Sequence, residues 1–149
     1  MSHENELYLV FQVFIAGILG IIIGWEREIR GHDAGLRTYA AATIGACLFG
    51  LVSTHCGITA DPSRIASQVV TGMGFLGAGV IMRRDTGRIS GLTTAASLWA
   101  CSAIGLAIAF DKYILGASTT ILLYLLLRAP HPPKAKVNEA KGENNEQKE

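Results

Sequence analysis

The sequence contains few aromatic residues, few cysteines and almost no charge within its long apolar stretches. Its three cysteines, Cys47, Cys56 and Cys101, form no Cys-x-x-Cys pair and have no zinc-ligand spacing with histidine. We therefore predict that they are small buried apolar residues and not part of a metal centre. The net charge of +1 gives no basic surface of the kind that binds nucleic acid, so no nucleic-acid partner is expected.

Catalytic motifs are also missing. The sequence has no Gly-x-Ser-x-Gly, no His-Glu-x-x-His and no Gly-x-x-x-x-Gly-Lys-Ser/Thr motif. The histidines fall in predicted loops or near the termini, at His3, His32, His55 and His131. We therefore predict a protein that is not an enzyme and that has no resident organic cofactor.

Five apolar segments dominate what remains. They cover residues 7–25, 36–56, 65–82, 92–110 and 113–127. Each approaches the roughly 20 residues that an α-helix needs to cross a hydrocarbon core of about 30 Å. A soluble bundle would need a polar face on every helix, whereas the first segment has only Gln12 as a strongly polar residue and the fourth has no charge before its end. The pattern predicts an all-α polytopic membrane protein with five transmembrane helices.

Lysine and arginine are concentrated on one side of this predicted bundle. They follow the first, third and fifth segments, at Arg27, Arg30, Arg37, Arg83, Arg84, Arg88, Arg128, Lys134 and Lys136. The opposite side has only Arg64 and Lys112. Because such residues favour the cytoplasmic side, we predict an outside N-terminus and a cytoplasmic C-terminus. Residues 1–128 are predicted to form the transmembrane domain, and residues 129–149 a disordered polar tail.

Glycine is abundant, with 17 residues, and many of these occur at helical spacing. Gly20 and Gly24 form a Gly-x-x-x-Gly step in the first segment. The third segment has a denser set, Gly72, Gly74, Gly77 and Gly79. Such faces favour tight helix packing, and they also suit a polar path or ion site between helices. The glycines of the third segment also suggest a bend or a break in that helix.

A charged cluster stands at the inner end of the first helix. Glu26 and Arg30 have the i,i+4 spacing of a helical ion pair. One interpretation is an ordinary helix end whose charges reach the membrane surface. The other is that Glu26 and Arg27 turn inward and pair with Arg37, because charge at membrane depth is expensive and tends to be functional.

Carboxylates offer a possible but weaker site for Mg²⁺. Those expected on the cytoplasmic side are Glu26, Glu28, Asp33 and Asp85. One or two of them, with water, suit Mg²⁺, but the neighbouring arginines oppose this by occupying the carboxylates. On the outer side, Asp61 is predicted to cap the third helix and to pair with Arg64.

Three longer motifs carry a family resemblance. They are GWERE at 24–28 followed by GLRT at 35–38, DPSRIA at 61–66 leading into GMGFLGAGVI at 72–81, and GLTTAASLW at 91–99. In this order and spacing they resemble three signatures of the bacterial MgtC/SapB membrane family. The resemblance covers roughly Gly17 to Leu127, which is the whole predicted membrane part.

The resemblance implies a bacterial inner-membrane protein with an outside N-terminus and a role linked to magnesium limitation. For some members of the family, that role is also linked to survival inside host macrophages. Longer members resemble regulators of the proton-translocating ATP synthase or of membrane potential, and they carry a soluble cytoplasmic domain after the last helix. With only a polar tail there, this chain is expected to be similar to the short members.

The leading hypothesis is a non-enzymatic protein of Mg²⁺ or ion homeostasis that packs with itself, as a homo-oligomer, or with a membrane partner. The alternatives are a small oligomeric transporter or channel for Mg²⁺ or another ion, and a purely structural module. The candidate polar-cluster or ion-site residues are Glu26, Arg27, Arg37, Asp61 and Arg64. The candidate helix-packing residues are Gly20, Gly24, Gly72, Gly74, Gly77, Gly79, Thr93, Thr94 and Trp99.

Overall fold

Five α-helices make up most of the computed structural model, which describes residues 3–55, 61, 63–83 and 89–129. The helices are α1 (His3–Ile29), α2 (Leu36–His55), α3 (Ser63–Val80), α4 (Leu92–Ala109) and α5 (Tyr113–Arg128). They correspond one to one with the apolar segments and confirm the predicted all-α architecture. The first helix extends beyond its apolar run at both ends, so Glu26 and Arg27 lie in its last turns.

A short hairpin between α3 and α4 is an element that the apolar pattern does not predict. Strand β1 (Met82–Arg83) pairs antiparallel with β2 (Ile89–Ser90). As a result α3 ends at Val80, two residues before the end of the predicted segment. The predicted break in the third helix is wrong, because α3 runs continuously through its four glycines. Each glycine weakens a helix by only about 1 kcal/mol, whereas a break in hydrocarbon would leave backbone polar groups without partners at a cost of several kcal/mol each.

Specific residues end one helix and begin the next. Gly31, with φ of 70°, takes the left-handed conformation just after α1. The Glu28 carboxylate then accepts a hydrogen bond from the Leu36 N–H at 2.8 Å and so caps the first turn of α2. Gly35 leaves room for this contact, since a Cβ there would lie 2.7 Å from Glu28 Oε2. The charged motif around Glu28 therefore also shapes the first turn between helices.

The centre of the bundle is α4, which contacts each of the other four helices. Tyr39 and Ile23 are fully buried beside it. Close approach of α1 and α2 depends on glycine, because a Cβ at Gly24 would lie 2.6 Å from Leu36 Cα. The Gly-x-x-x-Gly step of the first segment thus packs α1 onto α2.

The outside of the bundle is strongly apolar. Phe75, Ile114 and Leu126 are exposed over 81%, 88% and 71% of their surface. Helices α1, α2 and α4 are long and apolar enough to cross a membrane, and α5 is a shorter apolar helix of 16 residues. A water-soluble protein of this size rarely exposes so much apolar surface, so this exterior fits hydrocarbon as its solvent.

The two ends of the bundle differ in their charge. The end with Arg27, Arg30 and Arg128 is termed the arginine-rich end, and the end with Asp61 and Asp111 the opposite end. Which of them faces the cytoplasm stays a prediction. Cys56, Asp85 and nearly all of the predicted tail, from residue 130, lie outside the described residues.

Candidate functional site

The arginine-rich end holds a buried ionic cluster on the last turns of α1. Glu26 and Arg27 are exposed over only 7% and 3% of their surface. Arg27 Nη2 donates a hydrogen bond to Thr94 Oγ1 at 3.2 Å, and its guanidinium lies beside the Tyr39 hydroxyl. The structure therefore places both charged side chains inside the bundle, between α1, α2 and α4.

Only part of this charge is matched by partners. Glu26 Oε1 lies 2.6 Å from Arg30 Nε, as the i,i+4 spacing predicts. Among the described residues, neither Glu26 Oε2 nor Arg27 Nε has a hydrogen-bond partner. A buried polar atom without a partner costs about 1–3 kcal/mol, and intramembrane ionisable residues are functional candidates by default. These two atoms are the polar atoms of the cluster that have no partner among the described residues.

A string of hydroxyl groups extends the cluster into the bundle. The Tyr39 hydroxyl shares a short hydrogen bond with Ser97 Oγ, and Ser97 Oγ donates to the Thr94 carbonyl oxygen at 3.0 Å. All three side chains are buried. The first turn of α4 is thereby fixed against α1 and α2 through polar contacts, which set direction as well as distance.

The other candidates for the polar cluster lie elsewhere. Arg37 is exposed on the first turn of α2 and is not brought to Glu26 and Arg27. Tyr39 occupies the inward position instead, because residues two apart on a helix point in nearly opposite directions. Asp61 and Arg64 lie at the opposite end of the bundle, so the five candidates do not form one site.

Asp61 has the capping role that the sequence predicts. Its Oδ1 accepts hydrogen bonds from the Ser63 N–H at 2.9 Å and from the Ser63 hydroxyl at 2.7 Å. These two hydrogen bonds, with a smaller contribution from the positive charge of Arg64, hold the pKa of the Asp61 carboxyl below its usual range. The charged carboxylate is thus favoured at the start of α3.

The candidate packing glycines fall into two groups. Gly20, Gly24 and Gly77 face another helix, and a Cβ at Gly77 would lie 3.5 Å from Ala95 Cβ. Gly72, Gly74 and Gly79 have no atom of the described bundle within 4 Å of a Cβ position. The second group therefore packs nothing within this chain, and its packing role stays a prediction for contacts with another molecule.

The candidates on α4 also separate. Thr94 is buried and binds Arg27, whereas the adjacent Thr93 is exposed. Trp99 is exposed over 51% of its surface. Of the three, Thr94 is the one that hydrogen-bonds across the described bundle, to Arg27 of α1.

Potential metal-binding side chains do not cluster among the described residues, and the two described cysteines are buried. Across residues 3–55, 63–83 and 89–129, together with Asp61, no three His, Cys, Asp or Glu side chains come together in a metal-binding group. Cys47 and Cys101 are buried and free. A resident Mg²⁺ bound by several carboxylates therefore has no support from this part of the chain.

A second polar network, which the sequence did not predict, lies at the opposite end of the bundle. Asp111 Oδ1 accepts hydrogen bonds from the Tyr8 hydroxyl at 2.7 Å and from Gln12 Nε2 at 3.0 Å. Gln12 Nε2 also donates to the Ile108 carbonyl oxygen at 2.8 Å, and the Tyr113 hydroxyl donates to that of Tyr8. The one signal in the sequence was Gln12, an amide that lipid would leave without partners.

Together these features define a class of protein: a helical membrane bundle with an apolar exterior, a buried Glu-Arg-Thr cluster at one end and a Tyr-Gln-Asp network at the other. The MgtC family profile matches residues 13–134. The chain belongs to the MgtC family, which is a family of membrane proteins.

Several curated proteins are similar to this chain. "Putative magnesium transporter YhiD" of Escherichia coli (strain K12) is 42% identical over 132 residues, which cover 82% of this chain and 60% of that protein. "Protein SapB" of Bacillus subtilis (strain 168) is 33% identical, covering 84% and 56%. "Protein MgtC" of Salmonella typhimurium (strain LT2) is 40% identical, covering 76% and 48%.

The chain thus spans about half to three-fifths of the length of the curated relatives it matches. No solved structure gives a significant match.

Proposed function

We propose that this chain is a non-enzymatic protein of the bacterial inner membrane that serves Mg²⁺ homeostasis and adaptation to low magnesium. It acts through helix packing, either with further copies of itself or with another membrane protein. Membership of the MgtC family and the name of the Escherichia coli relative support the link to magnesium. The open face of α3 carries the proposal that packing is the mode of action.

That face combines small residues with polar side chains. Gly72 and Gly79 leave it flat, and the exposed Gln68 and Thr71 form no hydrogen bond with another described residue. In lipid, helices associate through close van der Waals packing and interhelical hydrogen bonds. A side-chain amide is both donor and acceptor, so an approaching helix would satisfy Gln68 where lipid cannot.

The packing mode is tested by the size of the assembly. Gly79→Leu adds bulk to the open face, and we expect it to shift the protein to monomers, as measured by single-molecule photobleaching in bilayers. Ala117→Leu, at an exposed position of α5, is the control and should leave the assembly intact. Wild-type protein that is monomeric and binds no other membrane protein would contradict the proposal.

The magnesium role is tested by growth. A strain lacking the chain should grow more slowly than its parent when Mg²⁺ is limiting and equally well when it is abundant. The wild-type gene should restore growth, and a Gly79→Leu gene should not. Equal growth of the two strains at every Mg²⁺ concentration would remove the proposed link to magnesium.

A small oligomeric transporter for Mg²⁺ or another ion is the second candidate, and Glu26 favours it. This carboxylate is buried in the bundle, and its Oε2 has no hydrogen-bond partner among the described residues. Transport predicts Mg²⁺ uptake into proteoliposomes that is lost in Glu26→Gln. Glu28→Gln is the matched control, because glutamine can still accept the Leu36 N–H. Absence of flux in the wild-type protein would exclude Mg²⁺ transport and leave the packing proposal in place.

A further inference from the structure

The contact between α1 and α5 at the arginine-rich end supports an inference that does not depend on whether the protein transports an ion. Arg30 Nη2 donates to the Arg128 carbonyl oxygen at 3.2 Å. That carbonyl belongs to the last residue of α5 and has no partner inside its own helix. Arg30 thereby holds the ends of α1 and α5 together and brings its guanidinium to the backbone of a second arginine. The residues Glu26, Arg30, Tyr124 and Arg128 are termed the α1–α5 seam.

The seam has more hydrogen-bond donors and more positive charge than its own partners use. Arg30 engages one Nε and one Nη2 donor, through Glu26 and the Arg128 carbonyl. The Arg128 guanidinium has a single contact among the described residues, from Nη1 to the Tyr124 hydroxyl at 3.5 Å. Each guanidinium has five N–H donors. Two arginines face one carboxylate, so the seam has a net positive charge and unused donors.

The surroundings of the seam are those of a lipid site. Ile29 and Leu125 are exposed over 74% and 58% of their surface and lie within one turn of Arg30 and Arg128. Trp25, exposed over 60%, lies one turn before Ile29 on α1 and is of the residue type that favours the membrane interface. A ligand here meets apolar walls on the bilayer side and guanidinium groups at the headgroup level.

We propose that the α1–α5 seam binds the headgroup phosphodiester of an anionic phospholipid. Guanidinium groups match phosphate oxygens in both geometry and charge. The acyl chains lie along the exposed leucine and isoleucine side chains. The net charge of the seam selects an anionic lipid over a zwitterionic one, whose own ammonium group cancels the attraction.

The test compares the thermal unfolding midpoint of the purified full chain in zwitterionic micelles with and without added phosphatidylglycerol. A ligand that binds only the folded state raises the midpoint, and we expect a rise of about 4 °C for wild-type protein. Arg128→Gln should remove most of that rise. It deletes one charge and keeps the backbone carbonyl that Arg30 binds, so the fold is preserved.

The control is Arg37→Gln, which removes the same charge from an exposed position on α2 and should keep the full rise. Added phosphatidylcholine and inorganic phosphate are the other two arms, and neither should raise the midpoint. The proposal is overturned if Arg128→Gln keeps the rise, if Arg37→Gln loses it equally, or if either of the other additives reproduces it.

Discussion

Arg27 and Thr94 form the pair on which the buried cluster depends. The arginine is almost fully enclosed, and its Nη2 donates a hydrogen bond to the Thr94 hydroxyl. Burying a guanidinium is favourable only when its donors are satisfied. The identity of residue 94 therefore controls whether α1 and α4 can meet at the arginine-rich end.

Replacing Thr94 with valine keeps the side-chain shape and removes the hydroxyl. We expect the free energy of unfolding to fall by about 1–3 kcal/mol, because a buried donor then has no partner. Unfolding titrations in mixed micelles measure this change. Thr93→Val is the matched control on the exposed side, where the change should be below about 0.5 kcal/mol. Equal effects at the two positions would show that the hydroxyl of Thr94 does not hold Arg27.

Asp61 gives a pH-dependent test outside the membrane-spanning helices. Its folded-state pKa is lowered by the two hydrogen bonds from Ser63 and by Arg64. Its stabilising contribution is thus fully present above the unfolded pKa of about 3.9 and is lost as pH falls through the lower folded value.

The thermal midpoint of wild-type protein should therefore exceed that of Asp61→Ala at pH 7, with a gap that narrows as the pH approaches 3. Asp61→Asn, which keeps an acceptor oxygen for Ser63 but carries no charge, is the control. The difference in midpoint between Asp61→Asn and Asp61→Ala should not narrow over this pH range. A gap between wild type and Asp61→Ala that stays constant from pH 7 to pH 3 would rule out the charged cap.

Among the helices, α3 differs from the rest because most of it is exposed. It buries Ala66, Met73 and Gly77 and leaves its other glycines open. Gly77 and Gly79 are two residues apart and point in nearly opposite directions. One side of this glycine-rich motif therefore packs against α4, and the other side is free to contact a second molecule.

Leucine at these two positions should have different consequences. Gly77→Leu forces α3 away from Ala95 and should lower the midpoint of unfolding, because over-packing of a close contact typically costs about 1–3 kcal/mol. Gly79→Leu adds a side chain in open space and removes a residue that weakens the helix, so the midpoint of the monomer should not fall. Thermal unfolding in detergent measures both. A stable, well-packed Gly77→Leu protein would contradict the α3–α4 contact.

The helices were predictable from sequence because each apolar run is long and its ends carry charge, glycine or proline. The short hairpin of β1 and β2 was not, because two-residue strands leave no periodicity. The rotation of each helix was also hidden. Without the rotation of α2, the sequence could not show that Tyr39, and not Arg37, lies beside Arg27. Without the rotation of α4, it could not show that Thr94, and not Thr93, accepts a hydrogen bond from Arg27. The network around Asp111 could not be predicted from the sequence, because it depends on the path of the turn between α4 and α5.

The molecule as a whole is arranged for hydrocarbon. Its exterior is rich in large apolar side chains, its charged groups are buried or gathered at the two ends of the described bundle, and glycines set the closest helix contacts. Because arginine favours the cytoplasmic side of a membrane, we expect the arginine-rich end to face the cytoplasm and the opposite end to face outward.

Cysteine labelling in spheroplasts tests this arrangement most directly. In a chain whose native cysteines are replaced by alanine, Asp33→Cys marks the arginine-rich end and Lys112→Cys marks the opposite end; both positions are exposed. A membrane-impermeant maleimide should label Lys112→Cys in intact spheroplasts and Asp33→Cys only after the membrane is permeabilised. Labelling of both positions before permeabilisation, or of Asp33→Cys alone, would contradict the account.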